Sequence, residues 1–222
     1  SSSAKTIIEI LGGTIDGNVY GGANQNNIYG STTINVKGGQ VKGAVYGGSN
    51  SSGTISSTST INVTWGTLGQ SSNATSKEVL FGGGYGSSTI VTGNAVVNIK
   101  DTDGNVNIYG SAYGGSSQGR MNSNVTVNIQ DLPSNPNTIS VVGNVFAGGK
   151  GTTGTAAIIS ENATMNVDGS NLPSGSVFGG NDINGTTNGN ITVNIGQNYE
   201  SALLNVYGGG NLDATGTEAD TV

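Results

Sequence analysis

The sequence predicts an all-β protein built from stacked repeats, and three observations support this fold class. A motif of an aromatic residue followed by glycines recurs along the chain. A strand segment of alternating polarity recurs beside it, and glycine is abundant whereas charged residues are few. Repeats of about 20–50 residues are typical of solenoids, in which each unit stacks on the next. We therefore predict a parallel β-helix (β-solenoid) of about seven turns of roughly 32 residues, with short strands and Gly-rich corners.

The aromatic motif places a small aliphatic residue, an aromatic ring and then small residues, mostly glycines, in this order. Its copies lie about thirty residues apart. The aromatic positions form a predicted ladder of Tyr20, Tyr46, Phe81, Tyr113, Phe146, Phe178 and Tyr207. Because successive side chains of a strand point to opposite faces, we expect only one set, the aliphatic residues or the rings, to fill the core. The glycines predict a tight corner where the ring lies over bare backbone.

The alternating segment has the pattern Thr-x-Asn, which is the period-2 signal of a strand with one buried face. In Thr33-Ile34-Asn35-Val36 the two aliphatic side chains would point inward and the two polar ones outward. The predicted Asn ladder consists of Asn35, Asn62, Asn98, Asn128, Asn166 and Asn194, with Glu9 at the equivalent position of the first copy. Weaker strand cores are predicted at Ile28, Ile55, Ile90 and Ile158. Each repeat is thus expected to hold three or four short strands.

The composition fits a thin solenoid better than a globule. Glycine accounts for 40 of 222 residues, and only 33% of the residues are hydrophobic. The glycines are expected at corners, where positive φ is needed. A single repeat buries too little apolar surface to offset a backbone ordering cost of roughly 1–2 kcal/mol per residue, so neighbouring repeats must stabilise it. Seven turns at about 4.8 Å would form a core on the order of 34 Å long.

The chain is predicted to be one domain over residues 1–222, because no linker or shift in composition divides it. It contains no Cys and no His, which excludes disulfides and the usual metal ligands. A net charge of −6 argues against binding to nucleic acid, and no apolar run is long enough for membrane insertion. The first strand is uncapped and the tail Leu212–Val222 is polar. We therefore expect a segment of a longer protein, paired with flanking repeats, or a subunit that stacks on itself.

The first two copies carry a resemblance to a known kind of repeat. Residues 12–22 read Gly-Gly-Thr-Ile-Asp-Gly-Asn-Val-Tyr-Gly-Gly, and residues 38–48 are their twin. This segment resembles the Gly-rich "GGTVxGNVYGGG" repeats of large microbial surface proteins that are described as adhesin-like and read as parallel β-helices. The resemblance implies an extracellular, cell-surface β-solenoid that serves as a stalk or adhesin, with no catalytic motif and no particular ligand.

Both ladders allow two interpretations. The aromatic ladder is either a structural stack or a platform on which sugar rings bind. The Asn ladder either stabilises the coil by hydrogen bonds between copies or forms a flat face for ice or a crystalline glycan. Of these, the structural interpretation is favoured for each ladder, because stacks of like residues are ordinary in solenoids.

Metal binding and catalysis have weaker sequence support. Asp101 and Asp103 begin a calcium-like loop, but Ala112 stands where an EF-hand loop needs an acid, so a polar turn is favoured over a surface calcium site. The 13 acids are scattered, which disfavours a polysaccharide-processing enzyme. Sequons at Asn73, Asn124, Asn162 and Asn190 are expected by chance. The sequence therefore predicts a non-enzymatic structural or adhesive protein without a cofactor, and carbohydrate binding is the alternative.

Overall fold

The computed structural model describes residues 4–72, 77–131, 136–169, 175–196 and 203–211. Asn73 and the tail Leu212–Val222 lie outside the described residues. Within them the chain is all-β, and its short strands form three sheets in which all strand pairs are parallel. No helix in the described part of the chain is long and apolar enough to cross a membrane.

The first sheet contains the alternating segments, and we number all strands in chain order. Its seven main strands, in spatial order, are β1 (Lys5–Ile10), β4 (Ser31–Val41), β7 (Ser59–Gly69), β10 (Ala95–Lys100), β14 (Val125–Gln130), β18 (Ala163–Asp168) and β21 (Ile191–Ile195). Three shorter strands extend the sheet beside these: β2 (Thr14–Ile15), β11 (Val106–Tyr109) and β15 (Ile139–Val141). Equivalent residues pair directly, so Asn35 lies opposite Asn62 and Asn62 opposite Asn98.

The second and third sheets are built in the same order. The second has β3 (Val19–Tyr20), β5 (Val45–Tyr46), β8 (Glu78–Phe81), β12 (Ser111–Tyr113), β16 (Val145–Phe146), β19 (Val177–Phe178) and β22 (Val206–Tyr207). The third has β6 (Ser52–Ile55), β9 (Ser88–Val91), β13 (Arg120–Met121), β17 (Ala157–Ile159) and β20 (Gly185–Thr187). The chain visits the sheets in turn and returns each time one strand further along, which is compatible with a solenoid.

The alternating polarity of the first sheet selects which face is buried. In β4 the side chains of Ile34 and Val36 are buried. Thr33 and Asn35, which alternate with them along the strand, are half-buried on the outer face. The inward side chains of the three sheets form one continuous apolar core. Ile90 and Ile158 lie in β9 and β17, where strands were predicted, but both are half-buried on the outer face. The core residues of the third sheet are their neighbours Val91 and Ile159, together with Ile55 and Met121.

The bend within β4 requires glycine. This strand runs through Gly38 and Gly39 and its pairing with β7 is irregular there. Gly39 has a φ of 75°, which L-residues with side chains rarely adopt. In contrast to Gly39, none of the described glycines that follow the aromatic residues has a positive φ. The expectation of positive φ therefore holds for β4 but not for the aromatic motif, where close contact between turns excludes a side chain.

Hydroxyl groups connect the first sheet to the glycine corner in the first three copies. The side chains of Thr6, Thr32 and Ser59 each donate a hydrogen bond of 2.7 Å to the carbonyl oxygen of the first motif glycine, at Gly21, Gly47 and Gly82. Later copies place buried Ala95, Val125 and Ala163 at the same register. Apolar packing thus replaces the hydroxyl bonds along the core.

Candidate functional site

The aromatic residues of the second sheet form one continuous stack. In-register pairing of the short strands places each ring directly over the ring of the preceding copy. Neighbouring ring centroids are 4.6 to 5.0 Å apart and the ring planes are within 4° to 11° of parallel. This spacing lies in the range of favourable aromatic pairs. All seven rings predicted for the ladder belong to this stack.

The stack is buried along most of its length. Phe81, Tyr113 and Phe146 are each 1% exposed, whereas Tyr207 at the end of the stack is 44% exposed. The aliphatic residues that precede the first six rings are buried in the main core. Only the aliphatic set therefore fills the main core, as expected, but the rings are buried as well. The second sheet has two covered faces, and the rings form a second apolar cluster outside the main core.

Polar side chains cross the outer edge of the ring stack and help to cover it. The hydroxyl of Tyr113 donates a hydrogen bond of 2.7 Å to Oδ2 of Asp182, and Lys150 Nζ lies 2.7 Å from Oε1 of Glu78. Asn211 donates a further hydrogen bond to Asp182. Each of the first two contacts joins strands or loops that are two copies apart. Burial, followed by the charge of Asp182, raises the pKa of Tyr113 well above its usual value, so that its hydroxyl remains a donor.

The Asn residues on the outer face of the first sheet form a directional ladder. Each Nδ2 donates to Oδ1 of the Asn in the preceding copy, over distances of 2.7 to 2.9 Å from Asn62 to Asn194. At the beginning of the ladder, Nδ2 of Asn35 donates to Oε1 of Glu9 at 3.3 Å. The aligned amide dipoles place donors toward β1 and acceptors toward β21. The carboxylate of Glu9 therefore lies at the donor end, where a negative charge is favourable.

A second Asn ladder, which was not predicted from the sequence, lies just before the strands of the first sheet. Nδ2 of Asn124 donates to Oδ1 of Asn94 at 3.4 Å, and Nδ2 of Asn162 donates to Oδ1 of Asn124 at 2.8 Å. The backbone N–H of Asn190 donates to Oδ1 of Asn162. The sequence signal for this second ladder is the recurring pattern Asn-x-Thr, although such recurrence is also expected by chance. Three sequons recur because the fold places Asn at this corner and Thr on the outer face two residues later.

The two aspartates considered for calcium do not form a shared site. Asp101 is fully buried near Asp131, whereas Asp103 is exposed and accepts a hydrogen bond of 2.6 Å from the hydroxyl of Thr64. Among the residues that the structure describes, no group of three or more acidic side chains could hold a metal ion. Burial, together with the nearby Asp101, raises the pKa of Asp131.

We expect Asp131→Asn to stabilise the protein at neutral pH. A raised pKa in the folded state means that this group contributes stability below its unfolded pKa and loses that contribution as the pH rises through the folded value. The introduced amide would keep a donor for Asp101 and an acceptor for the N–H of Ile139 without a second charge. Because Asp131 is only half-buried, solvent screens part of the repulsion, and the expected gain is about 0.5–1 kcal/mol at pH 7, shrinking toward pH 3.

Urea unfolding at both pH values would measure this gain, with Asp103→Asn as the control because Asp103 is exposed. An Asp131→Asn variant that is less stable than the wild type at pH 7 would contradict the assignment.

A shallow cleft of about 310 Å³ lies beside the first rings of the stack. Tyr46 forms part of its wall, together with Lys42, Lys77 and Glu78. Lys42 is paired with Asp16 at 2.6 Å, and Glu78 is paired with Lys150. Two of the three charged side chains in the cleft are therefore already neutralised by partners within the chain.

Comparison with known proteins does not assign the chain to a family. No family model matches the chain, and neither a curated protein nor a solved structure matches it. The resemblance of residues 12–22 to adhesin-like repeats stays a prediction, and the function has to be argued from the two ladders and their ends.

Proposed function

We propose that the chain is a β-solenoid rod of seven turns that builds a stalk or fibre at a microbial cell surface and has no catalytic role. One observation carries this proposal: the rings and the amides form stacks that continue from the first copy to the last. In each stack, the groups that a ligand would need are used in contacts with the next copy. Such repetition serves length and stability better than it serves recognition.

The two ends of the stacks support continuation by a further turn. At one end, Ile195, Val206 and Tyr207 are 42%, 46% and 44% exposed, although their equivalents in the middle of the chain are buried. At the other end, β1 and β3 each have a neighbouring strand on one side only among the strands that the structure describes. Open strand edges and exposed apolar rows favour pairing with another strand. Either flanking repeats or a second copy of the chain would cover them.

Glycan binding has less support as the function of the aromatic ladder. A sugar ring stacks on an exposed aromatic face, and the faces of Phe81, Tyr113 and Phe146 are covered by the neighbouring rings. The outer Thr/Asn face is regular, but Val96 and Ile7 interrupt its Thr column. These interruptions weaken the case for a flat face that binds ice or a crystalline glycan.

End-to-end association of the purified chain tests the proposal. We expect sedimentation velocity at pH 7 and pH 3 to show assemblies that grow with protein concentration and that electron microscopy resolves as rods of constant width. Tyr207→Asp should weaken association at least about tenfold, because it buries a charge in the ring stack at the junction. Tyr29→Asp is the matched control, since Tyr29 is 72% exposed and outside the stack.

Two results would contradict the proposal. One is a chain that stays monomeric at millimolar concentration at both pH values, which would contradict end-to-end stacking and leave flanking repeats as the cover of both ends. The other is glycan binding on an array that is lost when rings of the stack are replaced by alanine.

A further inference from the structure

The direction of the Asn ladder has a consequence for stacking between copies, and this inference rests on the proposed function. If the register of the three sheets continues across a junction, β1 of one copy pairs with β21 of another. Ile8 then lies opposite Val193, and Tyr20 lies opposite Tyr207. These pairs match the apolar and aromatic contacts found inside the chain. A second copy of this chain is therefore the occupant that fits both ends.

One pair at that junction breaks the pattern. Glu9 of one copy would lie opposite Asn194 of the other. Within the chain, the Nδ2 of Asn194 already donates to Asn166, so its Oδ1 is what faces the junction. That oxygen needs a donor from the incoming strand. An ionised carboxylate has only acceptors, so Glu9 would place oxygen against oxygen.

The ladder cannot reverse its direction to avoid this contact. If all the amides turned around, Oδ1 of Asn35 would face Glu9, and the same conflict between two acceptors would arise inside the chain. Glu9 thus sets the polarity of the ladder, through its bond from Asn35 and its 3.0 Å ion pair with Lys37. Lys37 and Asn35 are the charged and polar groups of the adjoining strand β4 that face Glu9.

We propose that Glu9 is a gate on self-stacking: its ionised carboxylate opposes the addition of a second copy at β1, and its neutral form donates to Asn194 of that copy and permits it. An Asn at this position would act in the same way as the six Asn residues further along the ladder. It would accept a hydrogen bond from Asn35 and donate one to the neighbouring copy. The exposed edge of β21 therefore favours an incoming strand that has a hydrogen-bond donor opposite Asn194.

Sedimentation equilibrium of the wild type, Glu9→Asn and Glu161→Gln tests the gate. Glu161 is exposed in the middle of the chain, so its substitution changes the net charge equally without touching either end. We expect Glu9→Asn to strengthen association at pH 7 by about 10- to 100-fold over the wild type and Glu161→Gln to have little effect. The hydrogen bond and ion pair with Lys37 hold the pKa of Glu9 below its usual value, so the wild type should approach Glu9→Asn only in more acidic solution than an ordinary glutamate would require, and the second measurement is made at pH 3.

Each outcome decides between the two proposals. If the wild type and Glu9→Asn associate equally at pH 7, and Tyr207→Asp still weakens association, then the gate is wrong and end-to-end stacking stands. If Glu161→Gln strengthens association as much as Glu9→Asn does, net charge and not the ladder is responsible, and the gate is wrong. If no variant associates at either pH, stacking of this chain on itself is wrong and the gate falls with it.

Discussion

Phe81→Ala is expected to lower the free energy of unfolding by about 3–5 kcal/mol, the range for removing a fully buried ring. Phe81 lies between Tyr46 and Tyr113, with ring centroids at 4.9 and 4.7 Å. Removal of the ring deletes two stacking contacts and leaves a cavity. The neighbouring strands cannot close this cavity, because their backbone hydrogen bonds fix the distance between turns. Urea unfolding followed by circular dichroism would measure the loss.

Tyr207→Ala is the matched control for this substitution. Tyr207 occupies the same position in the last copy, has one ring neighbour in place of two, and is 44% exposed. Its removal should cost no more than about 1–2 kcal/mol. Equal losses for the two variants would mean that the stack does not stabilise the middle of the rod more than its end.

Gly148→Val is expected to lower the free energy of unfolding by about 3 kcal/mol or to prevent folding. A Cβ at this position would lie 2.5 Å from the carbonyl oxygen of Gly180 and 2.6 Å from its carbonyl carbon. The obstacle is backbone, so no side chain can move aside. The turns would have to separate, which would break the 3.0 Å hydrogen bond from the N–H of Gly148 to the same oxygen.

Gly209→Val tests whether contact between turns is the cause. Gly209 is the equivalent glycine in the last copy, and a Cβ there would meet nothing within 4 Å. We expect this variant to unfold at the same urea concentration as the wild type to within experimental error. If Gly209→Val were as destabilising as Gly148→Val, the local conformation of the glycine and not the spacing of the turns would be the reason for its recurrence.

The stacking of neighbouring copies could be predicted because it depends on local chain chemistry. The alternation around Ile34 and Val36 specifies one buried face, and a slip of one residue would expose every aliphatic side chain. The recurrence of Asn35 and Tyr46 at equivalent positions then brings like side chains into register. The all-β class, the parallel sheets and the membership of both ladders follow from such patterns.

The surroundings of the ladders could not be predicted in the same way. Asp182, which lies 69 residues later in the chain, helps to cover Tyr113, and no local sequence pattern predicts this contact. The burial of Asp101 against Asp131 likewise depends on how two neighbouring copies meet. The corner ladder of Asn94, Asn124 and Asn162 was visible as recurring Asn residues, but chance recurrence in an Asn-rich chain explained it equally well until the hydrogen bonds were known.

The β-class of this protein, and the residues that recur at one position of each copy, follow from the amino-acid sequence alone. The reason is that period-2 polarity and glycine spacing act on neighbouring residues of the chain. The enclosure of the rings, the common direction of the amides and the position of Glu9 at the donor end of their ladder depend on the three-dimensional arrangement of the copies. Those properties arise between copies, since the direction of a hydrogen-bond ladder and the cover over a ring depend on the residues of several turns at once.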